Sequence, residues 1–156
     1  MITLRRTTCD SDDFQHLVQQ LDRDLWARYP QEQHIYQGFN KITGIDTVVI
    51  AYDGYTPVGC GCFKPFGEGG VEVKRMYVQP ALRGKGIAYS ILKELEQWAG
   101  ELGYSFVVLE TGTGQPEAIG LYRKCGYAVA ENYPPYDRMP SSVCFRKELV
   151  LKAPQP

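Results

Sequence analysis

The sequence has no excess of charge of either sign and very little histidine. It contains 17 Lys and Arg residues against 18 Asp and Glu residues, which gives a net charge of −1, and only two histidines. A chain with this balance has no global attraction to nucleic acid, so any basic site has to be local. We therefore expect no nucleic-acid partner.

Long apolar runs are also missing. The first ten residues read MITLRRTTCD, and no apolar segment follows the two arginines. This start is typical of neither a signal peptide nor a membrane anchor. We therefore expect a cytoplasmic protein without a membrane partner.

The sequence has no paired CxxC motif. Its cysteines are odd in number and widely spaced: Cys9, Cys60, Cys62, Cys125 and Cys144. Without a signal peptide, this pattern indicates reduced thiols and no structural zinc, and we expect no metal. Cys60 and Cys62 alternate with glycine, which predicts that both thiols lie on one buried face of a strand.

Hydrophobic periodicity predicts an α/β chain. The length of 156 residues fits one domain, which we place at residues 1–151, with a frayed tail at 152–156. Period-2 and β-branched runs predict strands at residues 2–7, 47–52, 57–66, 71–78, 106–109, 127–130 and 143–150. Helical spacing predicts helices at residues 14–29, 87–102 and from 116 onward, and a weaker one at 31–42.

The most informative stretch runs from Glu72 to Ala88. An extended segment breaks at Pro80 into a basic loop with Gly84 and Gly86, and an amphipathic helix follows. Free backbone N–H groups at a helix start, next to glycines without a Cβ, form an anion site. The loop does not match a Walker motif, because no glycine lies five positions before Gly84 and no Ser or Thr follows the lysine. The preceding meander also argues against a dinucleotide fingerprint.

Residues 78–88, VQPALRGKGIA, resemble the acyl-CoA loop of the GNAT superfamily of N-acetyltransferases. A second signature of that family follows about thirty residues later in AIGLYRKCGY, residues 118–127. The resemblance implies an α/β (α+β) acyl-CoA N-acyltransferase fold, with a mixed, mostly antiparallel seven-stranded sheet flanked by about four helices. Two residues depart from the family pattern: Ala81 stands where Gln or Arg is frequent, and Gln115 where Asn is frequent.

The resemblance also implies the cosubstrate and its contacts. Acetyl-CoA would pair its pantetheine arm with backbone groups of Met76, Tyr77 and Val78, and Gln115 would offer a side-chain amide. The residues expected around the pyrophosphate are Arg83, Gly84, Lys85, Gly86, Ile87 and Ala88. Helix-terminal N–H groups and two cations suit a doubly charged diphosphate without a metal.

Acetyl transfer to an amine needs a base for the amine, a polarised thioester carbonyl and a proton for the departing thiolate. Tyr122 matches the family's tyrosine general acid. Glu72 is the preferred base, with Glu110 and a water chain as alternatives. A backbone N–H near Tyr77 and Val78 would polarise the carbonyl, and a covalent cysteine mechanism is disfavoured.

In the family, the first two helices and the loop before the last strand form the acceptor site. In this chain Tyr36 and Tyr136 lie in those segments, and with Glu110 they would suit an organic cation. Arg138, in the same loop, could equally hold a carboxylate of the acceptor. We expect a small amine or amino-acid-like acceptor. A protein amino group and a non-catalytic acyl-CoA-binding regulatory module are the alternatives, and a homodimer stays open.

Overall fold

A computed structural model describes residues 1–28 and 43–150. Its helices are α1 (Asp12–Arg28), α2 (Ile87–Glu101) and α3 (Pro116–Lys124), with a short 3-10 helix at Pro80–Leu82. Its strands are β1 (Ile2–Thr7), β2 (Val48–Asp53), β3 (Thr56–Phe66), β4 (Gly70–Val78), β5 (Phe106–Gly112), β6 (Ala128–Ala130) and β7 (Ser142–Glu148). The helix predicted at 31–42, which includes Tyr36, and the tail at 152–156 lie outside the described residues.

The strands form one mixed sheet in the order β1-β2-β3-β4-β5-β7-β6. Strand β2 pairs antiparallel with β1 and β3, and β7 pairs antiparallel with β5 and β6. Strands β4 and β5 are parallel, with Gly70 opposite Phe106. The predicted seven strands and the predicted parallel crossover through α2 are therefore confirmed.

The chain groups into two compact units that interleave along the sequence. The first comprises Met1–Phe63 and Lys74–Leu95, and the second comprises Lys64–Val73 and Glu96–Pro156. The division falls inside β3, β4 and α2.

In the first unit, β3 presents a different chemistry on each face. Cys60 and Cys62 are fully buried in an apolar cluster with the inner face of α1, which includes Phe14 and Leu17. On the opposite face, a Cβ on Gly61 would lie 2.9 Å from the Leu95 side chain, so glycine permits the close approach of α2. The alternation of Cys and Gly read from the sequence therefore lets helices pack on both faces of this strand.

In the second unit, the core is built on β5 and β7. Residues 106–109 of β5 are buried on both faces, as the uninterrupted apolar run predicts. A buried carboxylate, that of Glu96, accepts hydrogen bonds from the Tyr127 hydroxyl at 2.8 Å and from the Lys147 ammonium at 2.9 Å. These bonds connect the end of α2 to the residues around β6 and β7.

Candidate active site

The glycine-rich loop of the first unit has the backbone geometry that an anion site needs. Gly84 has φ +80° and Gly86 has φ +82°, in the left-handed region that favours glycine. A Cβ at either position would meet no atom within 4 Å. Both glycines are exposed, so the loop backbone is open to a ligand.

Helix α2 begins directly after Gly86. Ser90 is bonded to this glycine twice, with its backbone N–H and its hydroxyl both 3.1 Å from the Gly86 carbonyl oxygen. The N–H groups of the preceding first turn, at residues 87–89, have no intrahelical acceptor. These N–H groups and the positive end of the helix dipole favour a bound anion at this terminus.

The two cations of the loop differ in their surroundings. Lys85 is exposed. Arg83 instead turns back onto the protein: its Nε donates to the Val78 carbonyl at 2.8 Å, and its Nη2 lies 3.5 Å from Asp24 on α1. The guanidinium also lies 5.7 Å from the centre of the Tyr77 ring. Of the two predicted pyrophosphate cations, Arg83 is bonded to the protein, whereas Lys85 is exposed.

The end of β4 carries the predicted pantetheine-binding residues. Tyr77 and Val78 are buried and Met76 is half-buried. The Tyr77 hydroxyl donates to the Gln20 side chain at 3.3 Å, which ties this part of β4 to α1. Ile87 is buried and Ala88 is half-buried, so their side chains add to the packing rather than to the open surface.

In the second unit, Tyr122 is buried in an aromatic cluster. It is 5 % exposed, and its ring lies 6.0 Å from that of Tyr127 and 5.9 Å from that of Phe145. Burial, followed by the nearby Glu110 carboxylate, raises the pKa of Tyr122. No hydrogen bond joins its hydroxyl to any residue that the structure describes. The hydroxyl is therefore a neutral donor that is not committed to any described residue.

Glu72 lies in the second-unit half of β4 and is 5 % exposed. Its Oε2 accepts a hydrogen bond from the Tyr133 hydroxyl at 3.0 Å, and its Oε1 lies 3.8 Å from the Lys64 ammonium. Burial and the Glu72 carboxylate raise the pKa of Tyr133, so this tyrosine stays a donor. The loop before β7 thus supplies the orienting partner of the predicted base.

Glu110 and Tyr136, both predicted to bind the acceptor, are also part of the second unit. The Glu110 carboxylate accepts a hydrogen bond from the Ser142 hydroxyl at 2.7 Å and is half-buried. Tyr136 is 1 % exposed, and its ring lies 5.6 Å from that of Tyr133. Tyr136 therefore stands behind Tyr133 as packing, while Glu110 retains some solvent access. Tyr36, the third predicted acceptor residue, lies outside the described part of the chain.

Gln115 occupies the N-cap position of α3. Its side chain makes no capping hydrogen bond, and its carbonyl accepts from the amides of Ala118 and Ile119. Pro116 follows at the first helical position, where the missing N–H has no cost. The Gln115 amide is consequently available for the contact that the family resemblance implies.

Sequence reasoning missed two features of the candidate site. Tyr133 lies in the loop before β7, but its partner Glu72 is 61 residues away, and nothing in the sequence pairs them. Arg75 was not singled out at all, although it is buried in β4 and bonded to Asp22. A basic residue inside an apolar strand pattern was the available signal.

The described residues contain no group of three or more His, Cys, Asp or Glu side chains that could hold a metal ion. None of the described helices is both long enough and apolar enough to cross a membrane.

Comparison with protein families gives a match to the acetyltransferase (GNAT) family over residues 11–127. An IAA acetyltransferase of Azospirillum brasilense is 37% identical over 150 residues, covering 95% of this chain and 98% of that protein. The matched family segment includes both signatures recognised in the sequence.

Solved structures give the same result for the fold. A Klebsiella pneumoniae protein assigned as an acyl-CoA N-acyltransferase superposes with a TM-score of 0.80 at 27% identity, covering 96% of this chain and 99% of that one. A GNAT family acetyltransferase from Elizabethkingia anophelis, solved with acetyl-CoA bound, has a TM-score of 0.69 at 20% identity, covering 95% and 98%. The predicted fold is thereby confirmed.

Proposed function

The chain belongs to the GNAT family of acetyltransferases, and from this premise we propose that it moves an acetyl group from acetyl-CoA to the primary amine of a small molecule. The observation that carries the proposal is the open glycine loop directly before α2: Gly84 and Gly86 are exposed, have positive φ, and would place a Cβ within 4 Å of no other atom. This cradle suits a diphosphate, because each N–H can donate to an oxygen and no side chain blocks the approach.

Acetyl-CoA supplies an activated thioester to the reaction. In this proposal the backbone around Gly84 and Gly86, with Lys85, holds its diphosphate, and the end of β4 pairs with its pantetheine arm. Arg83 contributes to the same site in either of two ways. It holds the Val78 carbonyl as it does here, or it exchanges Asp24 for a phosphate oxygen.

Tyr122 is the proposed general acid. Its raised pKa keeps the phenol protonated at neutral pH, and its hydroxyl has no partner among the described residues. A neutral donor of this kind can stabilise a developing thiolate and then protonate it. The same burial that raises the pKa also excludes water, which strengthens a hydrogen bond to a charged sulfur.

Glu72 is the proposed base that receives the amine proton, directly or through a water. Tyr133 holds one of its oxygens, and the Lys64 ammonium lies near the other. A fixed carboxylate of this kind can accept a proton along one defined direction. Glu110 is the alternative base, or it binds the acceptor with Tyr36, while the buried Tyr136 supports the ring of Tyr133.

The burial of the thiols favours direct transfer in a ternary complex over a covalent acetyl-cysteine intermediate. All five cysteines are buried. Burial raises the pKa of Cys60, and burial likewise raises the pKa of Cys144 to about 11. A nucleophilic cysteine needs an accessible thiolate, and these surroundings disfavour one.

The IAA acetyltransferase relative supports a small-molecule acceptor over a protein amino group. The proposal places the activity in one acetyltransferase domain spanning residues 1–151. The cytoplasmic location and a homodimer remain predictions.

The test is an assay of CoA release over a panel of small primary amines, with the acetylated product identified by mass. Acceleration of CoA release by at least one amine, with the matching product, is the expected result. If no amine accelerates CoA release although acetyl-CoA binds, the chain is a non-catalytic acyl-CoA-binding module. If only peptides with free amino groups are acetylated, the acceptor is a protein.

A further inference from the structure

Arg83, in the loop between β4 and α2, contacts a carbonyl, a carboxylate and an aromatic ring within the first unit. Its Nε donates a hydrogen bond to the Val78 carbonyl oxygen at 2.8 Å, and its Nη2 lies 3.5 Å from Oδ2 of Asp24 on α1. The guanidinium carbon also lies 5.7 Å from the centre of the Tyr77 ring. The side chain is 33% exposed, so these contacts hold it at the surface beside the end of β4.

The carbonyl that Arg83 contacts belongs to the peptide group that joins Val78 to Gln79, at the end of β4. The N–H of the same peptide group donates to the Val58 carbonyl oxygen of β3 at 2.9 Å. The Gln79 side chain donates to Gln20 Oε1 of α1 at 3.1 Å. This peptide group is therefore held at its nitrogen by β3 and at its oxygen by Arg83.

The direction of this carbonyl follows from the bond that its peptide group makes to β3. In a trans peptide group the C=O and N–H bonds point in opposite directions. Because the Gln79 N–H points to β3, the Val78 carbonyl points to the other side of β4. On that side β4 pairs with β5 over Gly70–Val73, and Val78 lies beyond these residues. A ligand that pairs with the end of β4 would meet this carbonyl, whose second lone pair can accept its hydrogen bond.

The two cations of the loop differ in how much charge they can offer to a diphosphate. Arg83 lies beside the Asp24 carboxylate, which balances its charge, whereas Lys85 is exposed. Moving the Arg83 guanidinium to a phosphate would separate it from Asp24 and leave that carboxylate near a second anion, which is unfavourable. A lysine ammonium is a point charge on a flexible stem and can follow a phosphate without such a loss.

We propose that Arg83 and Asp24 are positioning residues, which fix the Val78 carbonyl for the pantetheine arm of acetyl-CoA while Lys85 and the loop backbone hold the diphosphate. Asp24 orients the guanidinium, and Arg83 Nε orients the carbonyl. This inference rests on the proposed function, and it assigns to Arg83 the first of the two roles given there.

The first test measures amide hydrogen exchange at Gln79 and needs no acetyl-CoA. Arg83→Met removes the bond to the Val78 carbonyl, so the Gln79 amide should exchange at least about 5-fold faster, since its peptide group is held at one end only. Asp24→Asn should accelerate the same amide less, and Lys85→Met should leave it unchanged. The Ile50 amide of β2 is the reference for global stability and should exchange at the same rate in all variants.

Unchanged exchange at Gln79 in Arg83→Met would overturn the positioning role, and so would an equal acceleration of Gln79 and Ile50. If Arg83→Met does not fold, Asp24→Asn decides in the same way, because it changes one partly exposed atom and keeps the shape of the side chain.

The second test measures the binding of two thioesters, acetyl-CoA and S-acetylpantetheine, which lacks the diphosphate and the nucleotide. Arg83→Met should lower the affinity for both compounds by a similar factor of about 10, because the lost contact serves the arm that they share. Lys85→Met should lower the affinity for acetyl-CoA and change that for S-acetylpantetheine by less than about 2-fold. Asp24→Asn should weaken both compounds by about 2–5-fold, the scale of a partly exposed ion pair.

Two results would overturn this inference and leave the proposed function standing. A loss of acetyl-CoA affinity alone in Arg83→Met would make Arg83 a phosphate ligand. A gain of acetyl-CoA affinity in Asp24→Asn would show that Asp24 competes with the diphosphate for Arg83. Failure of the wild-type protein to bind either thioester would instead overturn the proposed function, whereas the exchange rate of Gln79 would still report whether Arg83 fixes the end of β4.

Discussion

The glycine loop and the surroundings of Glu72 are built in opposite ways. The loop offers backbone N–H groups, and its glycines meet no neighbouring atom within 4 Å. Glu72 is buried, with the Tyr133 hydroxyl on one oxygen and Lys64 near the other. The region proposed to bind the diphosphate is open and offers its main chain, whereas the proposed base is a side chain that is enclosed and oriented.

This difference explains how each region should respond to substitution. A backbone site is disrupted by adding bulk or by changing φ, since the identity of most side chains contributes little. A side-chain site is disrupted by removing one polar atom, since its enclosed hydrogen-bond partners are then left without a bond.

Gly84→Val should weaken acetyl-CoA binding by roughly 10²-fold or more, because a β-branched residue resists a φ of +80° and adds bulk to the diphosphate surface. Calorimetric titration with acetyl-CoA measures the change. Gly54→Val is the control, since Gly54 has φ +63°, open space around its Cβ position and a place in the β2–β3 turn. Similar binding by both variants would contradict the loop assignment.

Tyr122→Phe should lower kcat by roughly 10–10³-fold with little change in acetyl-CoA affinity, the scale of losing one positioned proton donor. Steady-state kinetics with the best amine of the panel measures it. Tyr127→Phe is the matched control, because the Tyr127 hydroxyl donates to Glu96 and its ring is 6.0 Å from that of Tyr122. An unchanged kcat in Tyr122→Phe would remove this residue from the mechanism.

The pH dependence of stability and of kcat should reflect the raised pKa of Tyr122. Burial raises the pKa of Tyr122 above its ordinary value of 10.0, so the phenol keeps its proton up to and beyond that pH. The folded state then binds a proton that the unfolded chain loses, and the stability it contributes declines as pH rises above about 10. We expect no loss of kcat below about pH 10 that depends on Tyr122. A decrease of kcat near pH 8 that disappears in Tyr122→Phe would contradict the raised pKa of Tyr122.

Glu72→Gln should lower kcat by about 10²-fold, a typical contribution of a positioned base, and Glu110→Gln should lower it less. The two variants remove the same charge from the two candidate bases, so each controls for the other. Tyr133→Phe should give an intermediate loss, because Glu72 keeps its charge and loses an orienting bond. Initial rates at saturating acetyl-CoA provide the comparison, and a larger loss in Glu110→Gln would reverse the assignment.

Lys147→Met should leave kcat unchanged and lower the free energy of unfolding by about 1–3 kcal/mol. The Glu96 carboxylate is buried and would lose the hydrogen bond that the Lys147 ammonium donates to it. Denaturant titration measures the loss. Lys124→Met replaces an exposed lysine of the same unit and should have little effect. A loss of activity without a loss of stability would give Lys147 a role outside the core.

The sequence was sufficient to predict the fold and the loop because both depend on local patterns. Alternation, helical spacing and the crossover through α2 fixed the strand and helix order, and Gly84 and Gly86 mark positive φ by residue type alone. The bond between Tyr133 and Glu72 could not be predicted, since it joins residues far apart in sequence through the pairing of strands. Arg75 was missed for a related reason: its unpaired nitrogens are visible only once β4 is placed beside α1.

The two-substrate kinetic pattern tests most directly whether the acetyl group passes from acetyl-CoA to the amine in a ternary complex. Initial rates measured over a matrix of acetyl-CoA and amine concentrations should give double-reciprocal lines that intersect, as direct transfer in a ternary complex requires. The same pattern should persist in Tyr122→Phe at a lower kcat. Parallel lines, with an acetylated cysteine detected by mass after incubation with acetyl-CoA alone, would establish a covalent intermediate and contradict the account.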